Sequence, residues 1–550
     1  MKITCVYILS HLDPNVNTEE SKADSNQKMR ASVLPLGISY IAAVLQKAGH
    51  DVEIIPFFET SDLNKFSEEV KNSDFFCLSV TSYDCWKLAQ KLISKLKHCF
   101  CDKKIIAGGV FVTLSPEEII ENKNIDAVCI GDGEKAIVEY ADCLKNNFSN
   151  KKIDNLFIKQ SDGTVLKCDK ETFVDNIDSL PFIDRHMWDK WTFDTTQHKV
   201  LAERGCPYRC IFCANNRLAH VCSGNYLRYR NINSIMSEFE YILKEYPQTQ
   251  SFMLYAENIA SDNERFFNLC AALKEFNLKT GKNINYTIIL NVTKTFIKNS
   301  KIFDAMKEAN IKWVMFGFES ASKEIRNKLN RPIYDNSDIF KFCRQMKKRN
   351  IHTTVYAMYC YPYETNKTYK ETVKWLKFFK PDAIGWFWME PQKGTELYNR
   401  FFVKKEEKYN KNSFSKIADR WRFITFKFRV YVYYKNLIET MFLSLEQFGI
   451  GDKLFSFWRR MNISKRKKLE EYRNEAKKQF DLKDFQKAVK YLNRIESLGD
   501  SWIFADRAFA NLKLGRKEEA LKDINAALKL EKTNTEYLKL KNEILKFKEK

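Results

Sequence analysis

Along the first 150 positions, short continuous apolar runs alternate with stretches of helical spacing. Runs at 3–9, 52–55, 75–80, 104–108 and 127–130 predict strands. Apolar spacing of the helical kind fills 36–48, where Gly49 supplies a stop, and also 86–96 and 136–144. Continuous apolar strands separated by helices predict a parallel, doubly wound sheet. Ligands of such sheets bind beyond the carboxyl ends of the strands. That edge would carry Thr81, Ser82 and Tyr83, the Gly108-Gly109 pair, and the loop from Gly131 through Gly133 to Glu134. Residues 151–195 read as a linker, turn-rich at 178–185. A second strand–helix series starts near Lys199, with strands expected at 251–255, 286–290, 313–317, 353–358 and 383–388. This alternation predicts a full or partial (β/α) barrel of the TIM type over 196–400. Residues 401–465 are aromatic and basic together, notably 421–434. Beyond 465 the pattern is helical, and Ala476 and Ala488 recur as Ala508 and Ala520, a step of 32.

Composition narrows this picture. The 550 residues are 44% hydrophobic, enough for large cores, and carry a net charge of +21. Much of the excess lies in late lysine runs, at 404–408, 465–468 and the final residues, which read as solvated faces. No nucleic-acid recognition module accompanies the charge. The 15 cysteines form no disulfide-like framework, and several sit in apolar runs as small hydrophobes, so a reducing, cytoplasmic setting is expected. The opening residues form a strand and a polar loop rather than a secretory signal. No apolar run reaches the roughly 18 residues that a membrane span needs.

The chemistry concentrates in Gly205-Cys206-Pro207-Tyr208-Arg209-Cys210-Ile211-Phe212-Cys213, a CxxxCxxC loop placed after the run at 200–202. Soft thiolates select iron–sulfur clusters or zinc. Three of them can hold three irons of a four-iron cluster and leave the fourth iron open. Zinc is the rival, with Cys222 or His220 as fourth ligand.

Residues 201–215 resemble the signature loop of radical S-adenosylmethionine (SAM) enzymes. The resemblance implies a 4Fe-4S cluster on Cys206, Cys210 and Cys213, whose open iron chelates SAM and cleaves it to a 5′-deoxyadenosyl radical. It places Phe212 against the adenine. It continues in Phe316-Gly317-Phe318-Glu319-Ser320, where Glu319 would face SAM and Ser320 its ribose. Glu257, Asn291 and Arg331 are matched as further SAM contacts. The segment Cys360-Tyr361-Pro362-Tyr363-Glu364-Thr365 departs from the family by lacking both of its usual glycines.

The first domain resembles the cobalamin-binding domain of one large radical SAM class, through residues 34–40, 107–113 and 131–134. Thr81, Ser82, Gly108, Gly109, Gly131, Gly133 and Glu134 are the implied cobalamin contacts. The DxHxxG signature is absent. His11 follows the first strand without its flanking partners and reads as an ordinary loop histidine, with cobalamin bound without a protein imidazole. In that class cobalamin commonly relays a methyl group to an unactivated carbon. The expected order is therefore a doubly wound cobalamin-binding domain (1–150), the linker, a radical SAM barrel (196–400), the extension (401–465) and helical repeats (466–550). The repeats resemble tetratricopeptide pairs, slightly short of the usual period of about 34.

The resemblance implies a methyltransferase, with a small-molecule, lipid or peptide substrate and an electron donor such as flavodoxin or ferredoxin. Two other readings stand beside it. One is a non-methylating radical reaction on the same architecture, and the other a non-catalytic adaptor that binds protein or peptide through its repeats. The extension adds peripheral contact with lipid headgroups as one reading of its aromatic and basic residues.

Overall fold

The computed structural model describes residues 1–10, 34–146, 151–191, 195–403, 472, 474–495, 501–530 and 534–547, apart from 332, 333, 360, 362, 363, 390 and 391. His11 and the aromatic, basic extension lie outside the described residues. The chain divides into two units, Met1–Ser415 and Lys416–Lys550.

The first unit opens with a seven-stranded sheet: β1 (Lys2–Leu9), β2 (Asp51–Phe58), β3 (Phe75–Ser79), β4 (Lys104–Gly108), β5 (Ala127–Cys129), β6 (Leu156–Lys159) and β7 (Val165–Lys167). Its order is β2-β1-β3-β4-β5-β6-β7. The first five strands are parallel, with a switch point between β1 and β3. Alternate residues feed two cores. Ile3, Cys5, Tyr7, Phe75 and Cys77 pack under the helices Leu36–Lys47 and Glu134–Lys145. Val6, Ile8, Phe76 and Leu78 pack under Tyr83–Cys99. Burial on both faces is why these strands read as unbroken apolar runs.

Within the expected linker, residues 156–167 instead extend this sheet. β6 pairs antiparallel with β5, and β7 with β6. β7 is the edge strand and β6 lies inside it, both short, around the turn at Gly163. Their apolar runs, 156–158 and 165–166, are only three and two residues long, too short to read as strands. Asn155 ties them down: its side-chain amide donates to the carbonyls of Ile130, Asp132 and Thr172.

The second series comprises β8 (Gln197–Leu201), β9 (Glu203–Arg204), β10 (Arg228–Tyr229), β11 (Ser251–Tyr255), β12 (Asn285–Leu290), β13 (Ile311–Glu319), β14 (His352–Tyr359) and β15 (Ala383–Trp388). Six of these form one parallel sheet, ordered β15-β14-β13-β12-β11-β8. Among the described residues β8 and β15 do not pair, so the barrel is partial. β9 and β10 form a separate antiparallel pair beside the cysteine loop.

The second unit is helical where described, with helices Phe485–Ile495, Ser501–Lys513, Lys517–Leu530 and Thr535–Lys546. Ala508, Ala520, Ile524 and Ala527 are its buried contacts, and Arg507 forms a buried ion pair with Asp523 at 2.7 Å.

Candidate active site

The cysteine loop leaves β9 at Gly205, which adopts φ +95. A Cβ there would lie 2.3 Å from the Tyr226 carbonyl oxygen, so only glycine fits. Beyond it the loop is pinned from outside. The Ile211 amide donates to the Leu329 carbonyl at 3.1 Å, and the Asn330 amide group donates to the Arg209 carbonyl at 2.7 Å. The Cys213 amide closes a turn on the Cys210 carbonyl at 3.1 Å. Burial pushes the Cys206 thiol up to about 12 and the Cys213 thiol up to about 11, and raises Cys210 too. A cation is what such thiols need in order to ionise. Arg331 supplies part of that charge, with Nη1 3.7 Å from Cys210 Sγ.

The zinc alternative requires Cys222 or His220 near the loop. Cys222 turns elsewhere. Its sulfur lies against Gly131 in the first domain, where a Cβ would come within 2.3 Å, and its charged neighbours are Asp132, Glu171 and Arg228. Among the described residues no three histidine, cysteine or acidic side chains stand as a ready metal cage. The donor set itself, three thiols in one tight loop, fits a cluster with an open iron better than a closed tetrahedral zinc site.

A polar belt runs round the strand ends beside this loop. Arg331 Nη2 lies 3.5 Å from Glu319 Oε1 and donates to Asn291 Oδ1 at 2.8 Å and to the Gly317 carbonyl at 3.0 Å. The Asn291 amide donates to Asn258 Oδ1 at 2.8 Å, and the Asn258 amide to Glu203 Oε1 at 3.2 Å. Glu203 faces Glu257, whose Oε2 accepts from the Gly205 amide at 3.1 Å. Burial, and then the neighbouring Glu257, push the Glu203 carboxyl up to about 8; burial pushes Glu257 up to about 7. Burial also raises Glu319, against the pull of Arg331. Within the belt, Glu203 Oε2, Asn258 Nδ2 and Arg331 Nε are buried without a hydrogen-bond partner among the described residues, as is the nearby Tyr361 hydroxyl. Unpartnered buried donors and acceptors together fit a zwitterionic ligand such as the methionyl end of SAM.

On the other side of the loop, a cavity of about 530 Å³ lies between the strand ends of the first sheet and the barrel. Thr81, Gly108, Gly109, Gly131, Gly133 and Glu134 line it, and it reaches the cysteine loop at Gly205 and Ala214. Its wall is an ion network joining the two halves. Asp132 meets Arg204 at 3.3 Å and also Arg228, while Arg204 pairs with Glu134. Burial alone would raise the Asp132 carboxyl; Arg204 and Arg228 outweigh it and hold the group below its ordinary value. Glu134 Oε2 is buried without a hydrogen-bond partner among the described residues. A large cavity with a glycine-rich edge and a fixed polar wall fits a bulky cofactor such as cobalamin.

Two expected contacts are used otherwise. The Ser82 hydroxyl caps the helix Tyr83–Cys99 by accepting from the Cys85 amide at 3.2 Å, and Ser82 does not line the cavity. The Ser320 side chain is wholly buried, 3.2 Å from Thr372 Oγ1, and accepts from the Ser322 amide at 3.2 Å. Glu319, at φ +61, makes the turn that sends Ser320 inward. Phe212 packs on the apolar cluster of Ile211, Tyr361 and Met389. The sequence reading missed Glu203, Arg204, Asn258, Arg228 and Asp132. Glu203 and Arg204 immediately precede the glycine of the loop, Asp132 stands within the loop 131–134 and Asn258 follows Glu257, all signals of place; Arg228 carries no local signal.

Known proteins agree with this geometry. A radical SAM superfamily profile matches residues 202–376, and a B12 binding domain profile matches residues 27–141. The chain thus carries a B12 binding domain followed by a radical SAM domain. An uncharacterised methyltransferase of Pyrococcus horikoshii is 27% identical over 374 residues, 66% of this chain and 77% of the relative. The anaerobic magnesium-protoporphyrin IX monomethyl ester cyclase of Rubrivivax gelatinosus is 23% identical over 398 residues, 68% of each chain. Among solved structures, the methyltransferase TsrM from Kitasatospora setae, with cobalamin and a 4Fe-4S cluster bound, matches with a TM-score of 0.57 at 15% identity, covering 73% of this chain and 78% of its own. The cobalamin-dependent radical enzyme OxsB matches at 0.53 and 17% identity, covering 74% and 56%. At these identities the structures attest the fold.

Proposed function

We propose that this chain is a cobalamin-dependent radical SAM methyltransferase that methylates an unactivated carbon of its substrate. The observation that carries the reading is the placement of the cysteine loop between the polar belt and the glycine-edged cavity. When bound, the cluster with SAM supplies hydrogen abstraction and cobalamin supplies methyl carriage. Cys206, Cys210 and Cys213 would hold the cluster. Glu257 and Glu319, with Asn291 and Arg331, would orient SAM through its amino and carboxylate groups. Gly108, Gly109, Gly131 and Gly133 would let the backbone approach the corrin face, and Thr81 would donate or accept at its edge. Arg204 and Arg228 hold Asp132 and Glu134, so the two halves keep a fixed separation and water is excluded from the space between them.

An external one-electron donor of the flavodoxin or ferredoxin kind completes the reaction. The helical second unit, read as tetratricopeptide-like repeats, would offer a surface to a protein or peptide. Among the described residues no helix is long and apolar enough to cross a membrane.

The test is anaerobic reconstitution with iron, sulfide and cobalamin, followed by SAM and a reductant. Formation of 5′-deoxyadenosine together with S-adenosylhomocysteine is expected. Absence of 5′-deoxyadenosine refutes the radical reading, and 5′-deoxyadenosine without S-adenosylhomocysteine moves the reaction to a non-methylating class. Replacing Cys210 by Ala abolishes the visible absorbance of the cluster; undiminished absorbance overturns the ligand assignment.

A further inference from the structure

Three consecutive residues that follow the helix Lys323–Lys328 grip three consecutive residues of the cysteine loop. The Leu329 carbonyl accepts from the Ile211 amide at 3.1 Å. The Asn330 side-chain amide donates to the Arg209 carbonyl at 2.7 Å, and Arg331 Nη1 lies 3.7 Å from Cys210 Sγ. Asn330 takes φ +49, a left-handed turn that asparagine tolerates better than most residues. The turn folds Arg331 back on the helix, with its amide donating to the Arg326 carbonyl at 3.0 Å. The approach of Arg331 to the sulfur is therefore held by backbone contacts on either side of it.

The guanidinium divides its donors. Nη2 is spent on the protein: Asn291 Oδ1 accepts at 2.8 Å and the Gly317 carbonyl at 3.0 Å, with Glu319 Oε1 at 3.5 Å. Nη1 is left for the Cys210 sulfur. In a planar, rigid fork, fixing one nitrogen also fixes the direction of the other. The other two thiols have plainer neighbours. The Tyr208 amide faces Cys206 and the Asn215 amide faces Cys213, each a neutral donor two residues further along the chain. Among the described residues, Cys210 alone of the three meets a charged side-chain donor. Cys210 is buried, so that charge is weakly screened.

We propose that Arg331 tunes the reduction potential of the cluster held by Cys206, Cys210 and Cys213, its charge and its N–H on the Cys210 sulfur favouring the reduced state. The proposal rests on the reading of these cysteines as the holders of a radical SAM cluster. In the step concerned, one electron passes to the cluster from an external donor of the flavodoxin or ferredoxin kind. The donor is oxidised by one electron, no bond breaks and no proton moves. The added negative charge is shared by the ligating sulfurs. A cation and a hydrogen bond at one of them stabilise it and raise the potential. Glu319 works the other way, since its carboxylate offsets part of the guanidinium charge. Arg331 touches a ligand of the cluster rather than the irons, so its signature is a potential.

The test is an anaerobic redox titration of the reconstituted full chain, followed by the electron paramagnetic resonance of the reduced cluster. SAM is left out, which separates this role from any contact of Arg331 with SAM. In Arg331→Gln the midpoint falls by about 59 mV or more, a tenfold shift in the one-electron equilibrium. Arg331→Lys returns the charge without the fork and recovers part of that fall. Glu319→Gln raises the midpoint, and carries the result if Arg331→Gln fails to hold a cluster. An unchanged midpoint in Arg331→Gln, or no rise in Glu319→Gln, overturns the tuning role. A fall that Arg331→Lys does not recover at all also overturns it, since a loosened loop then accounts for the change. The two readings fail separately. A chain that forms 5′-deoxyadenosine from SAM but shows unshifted midpoints keeps its radical chemistry and loses the tuning role. A chain whose midpoints shift as expected but which forms none keeps the tuning role and loses the radical reading.

Discussion

The two parallel sheets of the first unit use their strand ends in opposite ways. The β1–β5 sheet is buried on both faces, and its ligand edge is built from glycine backbone, at Gly108, Gly109, Gly131 and Gly133. The β8–β15 sheet is buried on one face, and its edge is built from charged side chains, with Glu203, Glu257, Glu319 and Arg331 sharing one hydrogen-bonded belt. A backbone edge suits a large ligand held by shape and close approach. A charged, buried edge suits a small zwitterion and the reacting centre, where interactions are strengthened by low dielectric. The contrast therefore predicts that damage to the second edge costs more than damage to the first.

The largest effect belongs to Arg331→Ala. It leaves the Glu319 carboxylate buried without its partner, and a loss of about 3–5 kcal/mol is expected from urea unfolding. A loss under about 1 kcal/mol would show that Glu319 relaxes to solvent, and the belt would then be no more rigid than the glycine edge.

Next comes the carboxyl pair. In the fold, burial and Glu257 raise Glu203 from its ordinary 4.5 to about 8. A raised carboxyl contributes stability that is fully present below its unfolded value and is lost as pH rises through its folded one. Unfolding free energy of the chain without added cofactors should thus fall by up to ~1.4 kcal/mol per pH unit for this group between about 4.5 and about 8. Glu203→Gln removes that proton, and the slope across the window becomes shallower, with Glu257 remaining. An unchanged slope in the variant means that Glu203 is ionised in the fold.

On the first edge, Gly131 adopts φ +71, and a Cβ would lie 2.3 Å from Cys222 Sγ. Gly131→Ala should cost about 1–2 kcal/mol from the backbone alone and weaken cobalamin in equilibrium dialysis. Unaltered cobalamin affinity would remove Gly131 from the binding edge. The smallest effect is that of Ser82→Ala, which loses a helix cap at about 1 kcal/mol and leaves cobalamin affinity as it was. Weakened cobalamin binding in that variant would restore Ser82 to the edge and make the first sheet a side-chain binder as well.

Much of both sheets was legible because their strands are apolar runs of the right length between helical spacings; β11 and β15 fall on the expected residues 251–255 and 383–388. The cysteine loop was legible because its three cysteines lie within eight consecutive positions. β6 and β7 were not, since their apolar runs, 156–158 and 165–166, are too short to stand out from a loop. Ser82 and Ser320 carried the right residue type at strand ends, and the same hydroxyl satisfies a cap or a turn as well as a ligand.

The sequence alone thus determined the order of the two α/β domains, the cysteine loop and the helical character of the described second unit, because each is encoded in neighbouring residues. The tertiary structure decided what comes from afar. Asp132 meets Arg204 and Arg228, and Glu203 meets Glu257. Sequence distance carries no record of which buried charges compensate one another or of which strand faces share a space. Packing and the cost of an unpaired buried charge select those partners only once the sheets have formed.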